Sequence, residues 1–157
     1  MDNKFITVKP RINLEQTKNI VTLAIFNDNR LLVVKPKKSA NKDIYTLVGG
    51  AIEGIETPIE AVIRETKEKI GIRLEESELF QIMEFDQEAA SNPEQTVHNS
   101  LFVTTKIVKE LPPINKKIVD IKWYTIGDGD SNVSHSITDY LIPYALVHKL
   151  MIKEENK

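Results

Sequence analysis

One capped helix, predicted over residues 58–70, constrains the fold of this chain more than any other feature. Thr57 is a suitable N-cap, Pro58 suits the first helical position, and Glu60 completes a capping box. Gly71 stands just past the last turn, where glycine commonly ends a helix. Apolar or weakly polar side chains recur at helical spacing between these caps, so one face is expected to be buried. They are Ile59, Val62, Ile63, Thr66 and Ile70.

β-Strand patterns lie on both sides of this helix. The first two predicted strands form a β-hairpin with a loop of three or four residues, and the third ends at Gly49-Gly50. A long polar loop is expected between the strands that follow the helix. A second helix is predicted over about 136–152, where Pro143 indicates a kink or a late start. The predicted strands cover 20–26, 31–35, 43–48, 79–85, 99–108 and 118–126.

This order of elements predicts an α+β fold, with a mixed β-sheet, one central helix and one C-terminal helix, layered as an α/β/α sandwich. A chain of 157 residues is long enough for a single domain, expected over residues 1–157. The 21 basic and 23 acidic side chains nearly cancel, so stable binding to nucleic acid is not expected.

Other features of the sequence bear on cellular context. The N-terminal segment has no apolar stretch of the kind found in signal peptides, and no apolar run approaches the ~20 residues of a spanning helix. We therefore expect no membrane association and a cytoplasmic location. The absence of cysteine excludes disulfides, thiol nucleophiles and cysteine-based zinc sites.

Charged side chains gather on the polar face of the first helix. At about 100° per residue, Glu65, Glu68 and Lys69 lie within one arc near the helix C-terminus. Two carboxylates at the negative end of a helix dipole repel each other unless a cation offsets them. Hard oxygen ligands of this kind suit Mg²⁺ or Mn²⁺ bridging to a phosphate group. The arc is therefore a candidate site for phosphate chemistry.

The glycine-rich turn before the helix, GGAIEGIE, brings bare backbone together with Glu53 and Glu56 into the same region. Its spacing to the helix follows the pattern G-x5-E-x7-R-E-U-x-E-E-x-G-U, where U is aliphatic, at six of the seven fixed identities. The matching residues are Gly50, Glu56, Arg64, Glu65, Glu68 and Gly71, with Ile72 at the last aliphatic position. In this motif and in the order of its elements, the chain resembles the Nudix hydrolases.

The resemblance implies hydrolysis of a nucleoside diphosphate linked to another moiety, so the expected partner is a nucleotide derivative. Mg²⁺ or Mn²⁺ is the implied cofactor. Glu65 and Glu68 would be metal ligands, with the backbone of Gly50 close to the ion. Arg64 would orient a glutamate by ion pairing. A homodimer is also compatible with the resemblance, although no residue pattern decides it.

The same resemblance implies supporting residues around the metal. Glu56 would hold the junction between loop and helix, and Glu53, Glu56 and Lys69 are the candidate substrate contacts. Lys69 departs from the motif, because it stands where the second glutamate of the E-E pair belongs.

Three consequences of Lys69 are open from the sequence. Metal binds more weakly but still supports hydrolysis, with a ligand from the predicted 86–98 loop; the ammonium contacts substrate phosphate in place of a metal; or catalysis is lost and a binding fold remains. The expected outcome is metal-dependent hydrolysis of a nucleotide pyrophosphate. The alternative is a catalytically weak module that binds a nucleotide or a partner. The candidate loop ligands are Asp86, Glu88 and Glu94.

Overall fold

The described part of the chain forms two β-sheets and two α-helices. The structure, a computed structural model, describes residues 17–37, 43–89, 92–127 and 132–148. A 3₁₀ turn at Glu76–Glu78 leads into β5, and a π-helical turn at Ser136–Leu141 leads into α2. The elements within these ranges are β1 (Lys18–Ala24), β2 (Phe26–Asn27), β3 (Arg30–Pro36), β4 (Val48–Ala51), α1 (Pro58–Ile70), β5 (Leu79–Ala89), β6 (Asn92–Thr104), β7 (Ile118–Thr125) and α2 (Ile142–His148).

The larger sheet has the strand order β4-β1-β6-β5 and is mixed, because β1 runs parallel to β6 while the other pairs are antiparallel. The smaller sheet has the order β2-β3-β7 and is antiparallel throughout. The predicted α+β class with a mixed sheet and two helices is confirmed. None of the described helices is long and apolar enough to cross a bilayer.

The alternation of side chains along β1 separates two hydrophobic cores. Val21 and Leu23 point into the core that includes Val62 and Ile70 of α1. Ala24 points into the second core, which includes the residues of the π-helical turn Ile137 and Leu141. Helix α1 packs against β4 and β1, so the face of the sheet that carries α1 also carries the residues of the candidate site.

The hairpin predicted from residues 20–26 and 31–35 is only partly present. Asn27 pairs with Arg30 across a two-residue turn, in which Asp28 adopts a left-handed backbone with φ of 58°. β1 itself does not pair with β3 and belongs to the other sheet. The prediction was wrong because the mostly apolar run over 20–26 gives no clear alternation, so its sequence does not reveal which neighbour it pairs with.

Gly49 and Gly50 lie inside β4 rather than ending a strand, which corrects the predicted strand over 43–48. They pair with Thr22 and Val21 of β1. A Cβ atom on Gly49 would lie 2.0 Å from the carbonyl oxygen of Val21. The glycines are therefore needed because backbone and a charged side chain approach them closely, not because the chain turns there.

Helix α1 begins and ends where the sequence predicts. The Thr57 hydroxyl accepts from the backbone N–H of Glu60, and the Glu60 carboxylate accepts from the backbone N–H of Thr57. Gly71 ends the helix in a left-handed conformation, with φ of 73°. The hydroxyl of Thr66 donates to the carbonyl of Val62, 2.7 Å away, which explains how a polar residue occupies the buried stripe.

The long polar loop predicted between residues 86 and 98 is instead the end of a β-hairpin. Residues 79–89 pair with 92–104 in an antiparallel arrangement. Polar side chains misled the prediction, since β5 is an edge strand whose side chains do not all need to be apolar. The C-terminal helix does start late, with the π-helical turn before Pro143. Its predicted end, beyond residue 148, lies outside the described residues.

We predict that Gly49→Ala destabilises the protein by about 1–3 kcal/mol or more, because the new methyl group meets backbone that cannot move without opening the β1–β4 pairing. Urea unfolding would measure the loss. Gly54→Asn is a suitable control: Gly54 has φ of 55°, which asparagine tolerates, and no atom within 4 Å of an added Cβ. Equal stability of the two variants would contradict the close approach at Gly49.

Candidate active site

The carboxylate of Glu65 is buried between helix α1 and strand β4. Its side chain is only 8% exposed. It lies directly over Gly50, where an added Cβ would come within 2.3–2.5 Å of the carboxylate atoms. Only glycine therefore leaves room for the carboxylate in this arrangement. Because a buried carboxylate is costly unless its charge is compensated, the neighbouring cations decide whether the site is stable.

Arg64 supplies one of these cations and also ties the helix to the preceding loop. Its Nε and Nη2 donate to the two carboxylate oxygens of Glu56, over 2.5 and 2.9 Å. Nη2 also donates to the backbone carbonyl of Ala51, 2.9 Å away. This fork geometry is the strongest type of arginine–carboxylate contact. Arg64 and Glu56 thus join the helix to the loop that precedes it.

The other end of the guanidinium faces the remaining carboxylates. Nη1 donates to Glu65 Oε2 over 3.0 Å and to Glu68 Oε1 over 3.4 Å. It also lies 3.8 Å from Glu53 Oε2, which is largely exposed. Arg64 therefore has four carboxylates within ion-pairing distance, and it joins the buried Glu65 to the more exposed Glu68 and Glu53.

Ionisation at the junction follows from these contacts. The hydrogen bonds from Arg64, followed by one from the backbone N–H of Glu53, lower the pKa of Glu56 to about 2. The hydrogen bond to Glu56 in turn raises the pKa of Arg64 above its ordinary value, against the opposing effect of burial. Both groups are therefore charged at neutral pH.

Lys69 supplies the second cation beside Glu65. Its Nζ donates to the carbonyl oxygen of Gly49 over 2.7 Å and lies 3.2 Å from Glu65 Oε1. The contact with Oε1 is an ion pair at i, i+4 spacing. Its angles are not those of a hydrogen bond, so this buried oxygen has a nearby charge but no donor directed at it. The side chain of Lys69 is 21% exposed.

Glu68 lies at the outer edge of the cluster, with 42% of its side chain exposed. Besides Arg64, it faces Lys117, whose Nζ is 3.6 Å from Glu68 Oε1. The side chain of Asn115 donates to the carbonyls of Glu68 and Lys69, over 3.1 and 2.8 Å, at the end of α1. Sequence reasoning missed both residues, since they come from the segment before β7, more than 45 positions away, and belong to no motif.

The donor set at this site is only partly suited to a divalent ion. Carboxylate and carbonyl oxygens are ligands that Mg²⁺ and Mn²⁺ prefer. The oxygens of Gly49 and Glu65, however, converge on the ammonium of Lys69. Within the described ranges, no three acidic or histidine side chains are arranged to hold a metal ion. With Lys69 in this position, a divalent ion does not fit between Gly49 and Glu65.

The structure does not bring the proposed additional ligands to Glu65. Asp86 and Glu88 lie on β5, at the opposite edge of the sheet from β4, and Glu94 lies on β6. Asp86 instead contacts Nδ1 of His98 at 2.7 Å, and Glu84 contacts Nε2 at 2.8 Å. Burial lowers the pKa of His98, but the hydrogen bonds to Asp86 and Glu84 outweigh it and raise the pKa above 6.5.

Comparison with known proteins identifies the family. A family model described as the NUDIX domain matches residues 16–140, most of the chain. The chain belongs to the Nudix family. The Nudix motif lies inside this match, and five of its fixed positions form the cluster around Arg64 and Glu65: Gly50, Glu56, Arg64, Glu65 and Glu68.

Individual relatives of this Nudix chain agree with the assignment. An ADP-ribose pyrophosphatase of Methanocaldococcus jannaschii is 44% identical over 48 residues, which are 31% of this chain and 28% of the relative. The fold resembles a MutT protein from Methanosarcina mazei Go1, with a TM-score of 0.71, 19% identity, and coverage of 85% of this chain and 96% of that one. It also resembles a MutT NUDIX hydrolase from Burkholderia pseudomallei, with a TM-score of 0.67 and 23% identity. That match covers 81% of this chain and 97% of the other.

We predict that Glu56→Gln flattens the acid side of the stability profile. The folded-state pKa of Glu56, about 2, lies below its ordinary value of 4.5, so its stabilisation is present above pH 4.5 and is lost as the pH falls toward 2. Unfolding midpoints measured in urea across this range should fall more steeply for the wild type than for the variant. Parallel profiles would show that the Arg64–Glu56 contact does not shift this pKa.

Proposed function

We propose that this chain hydrolyses a phosphoanhydride bond in a nucleoside diphosphate joined to another group. The observation that carries the proposal is the cluster around Arg64. It pairs with the buried Glu65 and leaves Glu68 half-exposed at the end of the same helix. A rigid charged base with one accessible carboxylate is the arrangement that positions water and phosphate for in-line displacement.

The residues have distinct roles in this proposal. Glu68 accepts the proton of the attacking water, because it is the accessible carboxylate of the helix. Arg64 orients Glu65 and Glu68, and Glu56 fixes Arg64. Lys69, which is partly exposed, offers its ammonium to a phosphate oxygen.

Glu53 completes the set of proposed substrate contacts, since its carboxylate is exposed beside Arg64. Mg²⁺ or Mn²⁺ is the cofactor that family membership supports, and when bound such an ion neutralises phosphate charge and acidifies water. Glu68 is the proposed ligand open to it, whereas Glu65 Oε1 becomes available only after Lys69 moves. The backbone of Gly50 is the further proposed neighbour of the ion.

A nucleotide derivative such as ADP-ribose is the first substrate to test, because the relative from Methanocaldococcus jannaschii carries that activity in its name. The match covers under a third of either chain, so the test needs a panel: nucleoside triphosphates, ADP-ribose, NADH, nucleotide sugars and dinucleoside polyphosphates. Release of phosphate or of a nucleoside monophosphate, measured with Mg²⁺ and with Mn²⁺, identifies the substrate.

A second candidate is a module that binds a nucleotide or a partner without turnover. The ammonium of Lys69 favours it, since this fixed cation lies where the carboxylates would otherwise attract a metal. Absence of turnover for the whole panel, together with thermal stabilisation by one of its members, would support this candidate over hydrolysis.

We predict that Glu68→Gln lowers turnover of the identified substrate at least about tenfold while the fold survives, because the amide cannot accept a proton from water. Steady-state kinetics and circular dichroism would measure the two properties. Glu76→Gln removes an exposed carboxylate from the 3₁₀ turn outside the cluster and should leave turnover unchanged. Equal rates for wild type and Glu68→Gln would exclude the assigned role.

A further inference from the structure

The ammonium of Lys69 bridges strand β4 and helix α1. One contact goes to the carbonyl of Gly49 on β4, at 2.7 Å, and the other to Glu65 Oε1 on α1, at 3.2 Å. The Oε1 atom is buried and receives no hydrogen bond. Two hard oxygens from separate elements thus point at one position, and a side chain of this chain fills that position.

The placement differs from that of an ordinary surface lysine. Lys67, two positions earlier in the last turns of α1, is exposed, and no side-chain partner is found for it within the described residues. Lys69 is instead half-buried, although a lysine at this end of a helix can reach solvent at little cost. What holds it inward is the pair of oxygens, because the helix dipole favours both lysines equally.

Each oxygen of the Glu65 carboxylate therefore has its own cation. Oε2 accepts from Arg64 at 3.0 Å, and Oε1 is paired with Lys69 at 3.2 Å. The buried charge is compensated by groups of the chain itself. A divalent ion placed between Gly49 and Glu65 would have to displace the ammonium, since two cations so close together repel strongly.

We propose that Lys69 is a built-in cation of the Nudix site. Its ammonium occupies the inner position, between the carbonyl oxygen of Gly49 and Oε1 of Glu65, so the buried charge of Glu65 is compensated without any metal ion. The inference concerns charge compensation in the protein without substrate, and it holds whether or not the chain hydrolyses anything. A divalent ion at this position would compete for Glu65 with the ammonium of Lys69, which is part of the helix itself.

Binding of MgCl₂ or MnCl₂ alone, measured by calorimetry and by the thermal midpoint without nucleotide, tests the proposal. In Lys69→Glu a carboxylate replaces the ammonium beside Glu65 and Glu68. We expect metal to bind at least about tenfold more tightly to this variant than to wild type and to raise its thermal midpoint. Lys67→Glu makes the same change of charge in the same turn, away from Glu65, and should bind metal as the wild type does.

Lys69→Gln provides a second test, because it removes the ammonium without adding a negative charge that could prevent folding. It should have a lower thermal midpoint than wild type without metal, because Glu65 Oε1 loses its cation, and added Mg²⁺ should restore part of the loss. Equal metal affinity in Lys69→Glu and Lys67→Glu would overturn the proposal. So would a Lys69→Gln variant that is as stable as wild type and does not respond to Mg²⁺.

Discussion

The burial of one carboxylate, that of Glu65, is the constraint on which the rest of the site depends. A charge enclosed between a helix and a strand is stable only if nearby groups compensate it and leave it room. Gly50 leaves the room because it has no side chain. Arg64 and Lys69 provide the charge, one for each carboxylate oxygen. Without these three residues, the same helix could not pack so closely on the sheet.

The loop before α1 is connected to this carboxylate through Glu56 and Arg64. Glu56 accepts from the backbone N–H of Glu53 over 2.9 Å and from Arg64 through both of its oxygens. The capping box at Thr57 fixes where the helix begins, and so fixes the direction in which residues 64 to 69 point. Loop, cap and helix therefore form one unit, in which Glu68 is the carboxylate left accessible.

What distinguishes this chain from its motif is a change of charge rather than of shape. Replacing the second glutamate of the pair with Lys69 keeps a long side chain at the end of α1 but reverses its sign. The backbone carbonyl of Gly49, on β4, accepts a hydrogen bond from this ammonium. The chain thus shares the fold of structural relatives to which it has low identity, while the ammonium of its own Lys69 lies between Gly49 and Glu65.

The sequence by itself determined the bounds and caps of α1, because helix periodicity and capping are set by neighbours three or four positions apart. It also indicated the family, through the fixed spacing from Gly50 to Gly71. Only the tertiary structure decided that β1 pairs with β4 and β6 instead of β3, that residues 86–89 pair with residues 92–98, and that Asn115 and Lys117 reach the end of α1. Strand partners and loop contacts depend on residues far apart along the chain, and their pairing is fixed by packing that no local pattern encodes.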